Sequence, residues 1–401
     1  MIPEIRELFN REFTEDAYQE LIAELNRDQK NKIGFRIAET PVFLTSDFKN
    51  KLIDAGNEIV NVILQNNFIE LTQQSIPDEW RVENENDHPH FLTFDFAVCK
   101  DPKGNLVPKL IELQGFPSLY GFQAELAACF SKHFSSAFHF QPFFNDLSKE
   151  QYVDLLRKTI VGNRNVEEVI LLDIDAHHQK TYIDFYITAR YLGIEIVALD
   201  ELKQIGDGIF YTKNGEDKLI KRIYNRLIFD EIKDKTEALL NVPDLLTTKQ
   251  IQWITHPNWF YRISKYTLPF LKGEFVPETF FLSDLTSIPV DLERFVLKPL
   301  FSFAGQGVII DVKESDIHQI KDPENWILQE KVDYEPVIDA PGGKVKCEIR
   351  LMYLWPDGDE KPTLAINLAR LSKGKMIGVR YNENFDWVGG TVCLFSQEEE
   401  K

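Results

Sequence analysis

The sequence predicts an α/β (α+β) fold built from more than one subdomain, and three observations carry that prediction. Segments with helical apolar spacing alternate with short β-type runs. A strand–helix–strand pattern sits in the middle of the chain. Later, an apolar run ends in a lysine and passes through a small-residue turn into a second apolar run. At 401 residues the chain is long for a single core and comfortable for two or three subdomains.

Taken in order, residues 1 to about 85 read mostly helical. Within 47–66, Leu52, Ile53, Ile59, Val60 and Ile63 recur at helical spacing. Residues 90–145 hold two strands, at 94–98 and 110–114, around a Lys103-Gly104-Asn105 turn, and then an apolar helix over 123–134. Residues 167–173 read as a buried strand, 181–192 as a helix stopped by Gly193, and 194–199 as the next strand. That order predicts a parallel pair. Lys213-Asn214-Gly215-Glu216 turns a hairpin that leads into a strand through Tyr224. The expected division is 1–150, 151–240 and 241–401: a helical region with an acidic strand pair, an inserted parallel α/β subdomain, and the region of the lysine hairpin.

Composition narrows the function classes. The formal charge of −19 leaves no basic surplus to release counterions from a nucleic-acid backbone. A nucleotide needs only a local cluster of cations, so ATP stays open. Cys99, Cys129, Cys347 and Cys393 are widely spaced, with no Cys-x-x-Cys, and are expected to be buried thiols. His88, His90, His177 and His178 lack metal-ligand spacing and are expected in loops or at the surface. No Gly-x-Ser-x-Gly elbow is present. No apolar run reaches the ~18 residues of a membrane span, and the charged N-terminus shows no apolar signal segment, so a cytoplasmic setting is expected.

The chemistry-bearing motifs cluster late and early. Phe295-Val296-Leu297-Lys298-Pro299, then Ser302-Phe303-Ala304-Gly305-Gln306-Gly307-Val308-Ile309-Ile310, puts a cation at the mouth of a hairpin. Its glycine-bearing turn can bring backbone N–H groups close to an anion, and a polyphosphate is the natural guest. The spacing is not that of a P-loop. Trp326-Ile327-Leu328-Gln329-Glu330-Lys331-Val332 can offer backbone groups to an adenine edge and a carboxylate to N6 or ribose. In Lys346-Cys347-Glu348-Ile349-Arg350, alternation sets Glu348 and Arg350 on one strand face. Leu364 to Arg370 reads as a further strand carrying Asn367 and Arg370. Earlier, Asp95 and the Glu112-Leu113-Gln114 strand stand before Gly115-Phe116-Pro117-Ser118.

These pieces, in this order, resemble the ATP-grasp superfamily. An acidic strand pair early and a lysine hairpin late is the circularly permuted order of the branch containing glutathionylspermidine synthases and eukaryotic-type glutathione synthetases. Tyr224-Asn225-Arg226 is similar to that branch's Tyr-x-Arg strand, Ser264-Lys265-Tyr266 to its first nucleotide lysine, and Gly389-Gly390 to its closing glycine-rich loop. The resemblance runs from about residue 90 to 395. It implies a circularly permuted ATP-grasp with a substrate-type subdomain at 151–240 and a nucleotide-binding region at 241–401.

The activity implied is ATP- and Mg²⁺-dependent ligation of a carboxylate to an amine through an acyl phosphate. By the resemblance, Lys265 and Lys298 hold phosphates, Gly305, Gln306 and Gly307 cover them, and Gln329, Glu330 and Val332 seat adenine. Glu112, Gln114 and Glu348 carry Mg²⁺, which takes oxygen ligands and keeps several waters, so two or three protein groups suffice. Arg226 and Arg370 clamp the transferring phosphoryl group or a substrate carboxylate, since guanidinium forks suit both; either could instead form a surface ion pair. The partners implied are a small-molecule acid and amine, with no nucleic acid and no membrane, and a homo-oligomer is compatible. Three departures stand out. Gln114 replaces an asparagine, Ser302 stands where the glutathione-synthetase branch has a glutamate, and Thr93 stands where it has an arginine. Gln114 and Ser302 keep a second reading open, a nucleotide-binding module without ligase activity, serving as a sensor or assembly partner.

Overall fold

In the computed structural model, the residues described are 1–27, 32–228, 245, 250–301, 306–374 and 385–396. Helices α1 (Pro3–Glu12), α2 (Glu15–Leu25), α3 (Ser46–Ile63) and α4 (Phe68–Leu71), with the short strand β1 (Val42–Phe43), precede the first long strands. The long helix expected over 47–66 is α3, and Thr45 caps it by accepting from the Phe48 N–H.

The architecture is organised by a six-stranded antiparallel sheet. Its early strands are β2 (Phe91–Lys100) and β3 (Leu106–Gln114). Its late strands are β14 (Pro336–Ala340), β15 (Gly343–Leu354), β16 (Thr363–Ser372) and β17 (Gly389–Thr391). The order is β17-β16-β15-β2-β3, with β14 also paired to β15. Strand alternation decides what each face does. Cys347, Ile349, Leu351 and Tyr353 of β15 join Phe94 and Phe96 of β2 in one apolar core, which α3 covers with Phe48, Leu52 and Ile59. Gly56 lets α3 settle there, since a Cβ would run into the Tyr353 hydroxyl. The other face changes character along its length. Met352 and Leu354 are apolar and pack on the next subdomain, whereas Glu348 and Arg350 are buried and charged.

That next subdomain follows α5 (Tyr120–His133) and α6 (Lys149–Ile160). Strands β4 (Val169–Asp173) and β5 (Glu195–Ala198) flank α7 (Tyr182–Leu192), and β9 (Arg222–Asn225) and β10 (Gln252–Ile254) complete a four-stranded sheet in the order β10-β9-β4-β5. Every pairing in it is parallel, including the β4–β5 pair that the strand–helix–strand pattern predicts. Gly193 ends α7 at φ +75°. A three-stranded antiparallel sheet of β6 (Lys203–Ile205), β7 (Gly208–Lys213) and β8 (Glu216–Leu219) intervenes. Its β7–β8 turn is the expected one, with Asn214 and Gly215 both at positive φ.

The lysine run is β12 (Phe295–Pro299), in a second three-stranded sheet with β11 (Thr279–Phe281) and β13 (Trp326–Glu330), order β11-β13-β12. Here the expectation needs correction. Residues 308–310 do not form a full partner strand; Ile309 makes a single bridge to Leu297, and β12 takes its continuous pairing from β13. The chain closes with β18 (Cys393–Leu394), which pairs in parallel with β1.

The four cysteines are free and buried, as expected. His177 and His178 lie near the surface beside Glu201 and Asp175. His90 lies in the loop just before β2, but not at the surface: it is fully buried, with Nε2 2.8 Å from Asp357 Oδ1. Among the described residues no helix is long and apolar enough to cross a membrane.

Gly389 of β17 sits at φ +124°, and a Cβ there would lie 2.5 Å from the Arg36 carbonyl oxygen. Gly389→Ala is expected to cost about 1–3 kcal/mol through backbone strain and overpacking. A urea titration would show it as a lower midpoint with an unchanged slope.

Candidate active site

A cavity of about 430 Å³ opens where the charged half of the large sheet meets the carboxyl ends of the parallel strands. Its lining includes Glu112, Gln114, Arg226, Lys265, Arg350 and Arg370. Five of these six were expected at the site from sequence, and the six together come from five separate segments of chain.

The sheet registers explain the convergence. Asp95 on β2 lies opposite Glu112 on β3 and Arg350 on β15, while Glu348 lies opposite Arg370 on β16. A bulge at Asp95/Phe96 keeps Glu112 and Gln114 on this face. The Gln114 amide donates to Glu112 Oε1 at 3.2 Å. Arg370 lies opposite Gly390 on its other side.

Asp95 is the hub of the charge cluster. It is 1% exposed and accepts from Arg350 Nε (2.5 Å), Arg350 Nη2 (2.6 Å) and Arg370 Nη2 (2.9 Å). Burial opposes its ionisation, but the two guanidinium groups outweigh burial and hold the carboxyl below its usual range. Arg370 also reaches Glu348 Oε1 at 2.9 Å, and Tyr334 donates to Glu348 Oε2 at 2.8 Å. Burial, aided by Asp95 and Glu112, nevertheless pushes Glu348 up to about 7.

The lysines stand beside these carboxylates. Lys298 is buried, and its ammonium donates to the Ile111 carbonyl (3.2 Å) and to the Gln329 side chain. Burial lowers its pKa to about 8, with Lys265 acting in the same direction and Glu112 opposing. Lys265 lines the cavity and donates to the Leu300 carbonyl at 3.4 Å; burial lowers its pKa too.

Arg226 closes the opposite end. It follows β9 directly, at the point where chain order around β4 reverses, and such switch points form ligand crevices in parallel sheets. It is 7% exposed, and its guanidinium lies 4.9 Å from the Phe116 ring centre and 5.2 Å from that of Phe185. Among the described residues its Nε and Nη1 have no hydrogen-bond acceptor. Asp173, at the end of β4, lines the same cavity and accepts from Gln179 at 2.8 Å. The loop carrying Phe116 is fixed from a distance. Buried Asp184 of α7 accepts the Leu119 and Phe122 N–H groups, both at 3.0 Å, and so caps α5.

The remaining expected contacts fall in different places. Gly305 and Ser302 lie outside the described residues. Gln306 and Gly307 are exposed beside Pro299, with Gly307 at φ +73°. Gln329 is buried against Lys298. Glu330, expected to face adenine or ribose, is 3.1 Å from Arg294, and its N–H is taken by the Glu278 carbonyl. Val332 packs on Ala97, Cys99 and Val107. Among the described residues no group of three or more His, Cys, Asp and Glu side chains is gathered to hold a metal. Asp95, Tyr334 and Asp173 are site residues whose roles the sequence did not reveal. For Asp173 the available signal was its position at the end of the first parallel strand.

No protein-family profile matches the chain, and no curated protein sequence matches it. Among solved structures it is similar to a glutathione synthetase-like effector from Globodera pallida in its apo form. The two are 11% identical, with a TM-score of 0.57 over 92% of this chain and 96% of that one. At that identity the likeness speaks to the fold: the chain has a mixed α/β, distantly glutathione synthetase-like fold.

Proposed function

We propose that the chain is an ATP- and Mg²⁺-dependent carboxylate–amine ligase of the permuted ATP-grasp type. The observation that carries this reading is Arg226: a buried cation with two donors that have no acceptor among the described residues, in one cavity with Lys265, Arg370 and the Glu112–Gln114 pair. Buried donors left unpaired are costly, so a site that retains them points to an anionic ligand.

Each group has a task in that reading. Lys265, Lys298 and the Gln306-Gly307 turn hold the ATP phosphates. Arg226 seats the substrate carboxylate, and its aromatic flanks exclude water. A carboxylate oxygen attacks the γ-phosphorus as the bond to ADP breaks, and Arg370 balances charge on the transferring group. The amine then attacks the acyl carbon, phosphate leaves, and the amine proton passes to solvent or to phosphate. Bound Mg²⁺ would neutralise charge on the phosphates. Glu112, Gln114 and Glu348 fit it as oxygen donors: two carboxylates and an amide suit an ion that takes the rest of its shell from water and phosphate.

The test is ADP formation with Mg²⁺-ATP across paired acids and amines, alongside thermal stability. A stabilisation that needs Mg²⁺, with ADP released only when acid and amine are both present, supports the ligase. Stabilisation without turnover on any pair favours the nucleotide-binding module, and no stabilisation at millimolar ATP sinks both. Arg226→Met is expected to leave the Mg²⁺-ATP shift in place while raising KM for the acid about 10- to 100-fold. An unchanged KM would remove Arg226 from the substrate site.

A further inference from the structure

Tyr334 touches the charge cluster yet has no task in the ligation. It stands in the segment 331–335, which crosses from β13 of the lysine sheet to β14 of the large sheet. Both ends of this segment are tied. The Lys331 N–H donates to the Arg294 carbonyl at 2.7 Å, and the Glu335 N–H donates to the Val98 carbonyl at 2.9 Å. The Lys100 ammonium adds a bond to Glu335 Oε1 at 2.6 Å. Between these ties Tyr334 packs, with Val332, on Ala97, Cys99 and Val107. Ala97 lies directly opposite Glu348 in the β2–β15 pairing, so a ring packed there stands beside that carboxylate.

The contacts of Glu348 are divided between two partners. The Tyr334 hydroxyl donates to Oε2 at 2.8 Å, while Arg370 Nη1 lies 2.9 Å from Oε1. Each carboxylate oxygen has a second lone pair, and those remain for a cation. Guanidinium groups favour taking both oxygens of one carboxylate in their fork. Arg370 does not do so here; its Nη2 goes to Asp95. The phenol hydroxyl occupies the oxygen that would complete the fork. A Glu348 carboxylate free to give both oxygens to Arg370 would have less to offer a metal.

We propose that Tyr334 is a positioning residue for the metal: its hydroxyl keeps the Glu348 carboxylate from closing onto the Arg370 fork and so presents it to Mg²⁺. This role rests on the Mg²⁺-dependent reading of the site, with Glu348 among the oxygen donors.

Thermal stability of the full chain at fixed ATP, followed as free Mg²⁺ is raised, reads the metal without requiring turnover. Tyr334→Phe keeps the ring and removes the oxygen. It is expected to raise the half-saturating Mg²⁺ about 10- to 100-fold, the scale for losing a partner that orients a metal ligand, with the full stabilisation recovered at saturating metal. In a Glu348→Ala background the same substitution is expected to add nothing, because the contact it removes is already gone. A half-saturation point that stays put in Tyr334→Phe, even if the ligand-free midpoint falls, would make the hydroxyl merely structural. That result would overturn the positioning role and leave the ligase reading standing. An equal shift in the Glu348→Ala background would do the same. A wild type that gains no Mg²⁺-dependent stabilisation from ATP would remove both.

Discussion

Replacing Asp95 with alanine is expected to lower folding stability by about 3–5 kcal/mol, because removing one partner strands buried charge. Arg350 is 5% exposed and directs two nitrogens at Asp95, and Arg370 adds a third contact. Without the carboxylate, the acidic partner left to Arg350 among the described residues is Glu112 at 4.0 Å, too far for a hydrogen bond. Arg370 retains Glu348, so the larger share of the loss falls on Arg350. Asp95→Asn keeps the shape and an acceptor oxygen but removes the charge, and should fall between wild type and alanine. Urea unfolding reads both. An alanine variant within about 1 kcal/mol of wild type would show that water or a rearranged Glu112 replaces the carboxylate.

Lys298→Met is expected to abolish the Mg²⁺-ATP stabilisation, which for a ligand at 100 times its dissociation constant amounts to about 2.7 kcal/mol. Turnover should fall on the order of a thousandfold, the scale for losing a charge aimed at a transferring phosphoryl group. The same residue makes a separate prediction about pH. Burial brings its pKa in the folded chain to about 8, below the ordinary lysine value of 10.5. Between those values the unfolded chain binds more protons than the folded one, so wild-type stability gains with rising pH relative to Lys298→Met. Nucleotide affinity should move the opposite way, weakening above pH 8 as the ammonium is lost. Parallel pH profiles of the two proteins would expose a misassigned lysine.

Much of the fold is legible in local pattern. Alternation at 346–354 puts Glu348 and Arg350 on one face, and β15 does so. The Asn214-Gly215 turn, the parallel β4–β5 pair and helix α3 follow from short-range rules. The misses share a cause in distant contacts. Helix α5 starts at Tyr120 rather than 123 because its cap, Asp184, lies 65 positions from Leu119. Strand β12 pairs with β13 rather than with the run just after its turn, a choice made by tertiary packing. In the site, spacing and resemblance together named Glu112, Gln114, Arg226, Lys265 and Arg370, which share one cavity. They did not find the Asp95–Arg350 pairing, which depends on strand register and not on any motif. The burial of His90 is hidden from local pattern for a similar reason: its partner, Asp357, stands 267 positions away.

Strand β15 lies at the centre of the large sheet, between β2 and β16, and its Arg350 meets an Asp95 made 255 positions earlier. On the ribosome this order matters. The β2–β3 hairpin emerges with one edge unpaired, and no nearby sequence covers it. Open edges recruit other strands, and pairings across long separations form slowly. The N-terminal part therefore cannot mature ahead of the rest, as early domains commonly do. Its negative charge at Asp95 waits through most of synthesis for the cations that allow it to be buried.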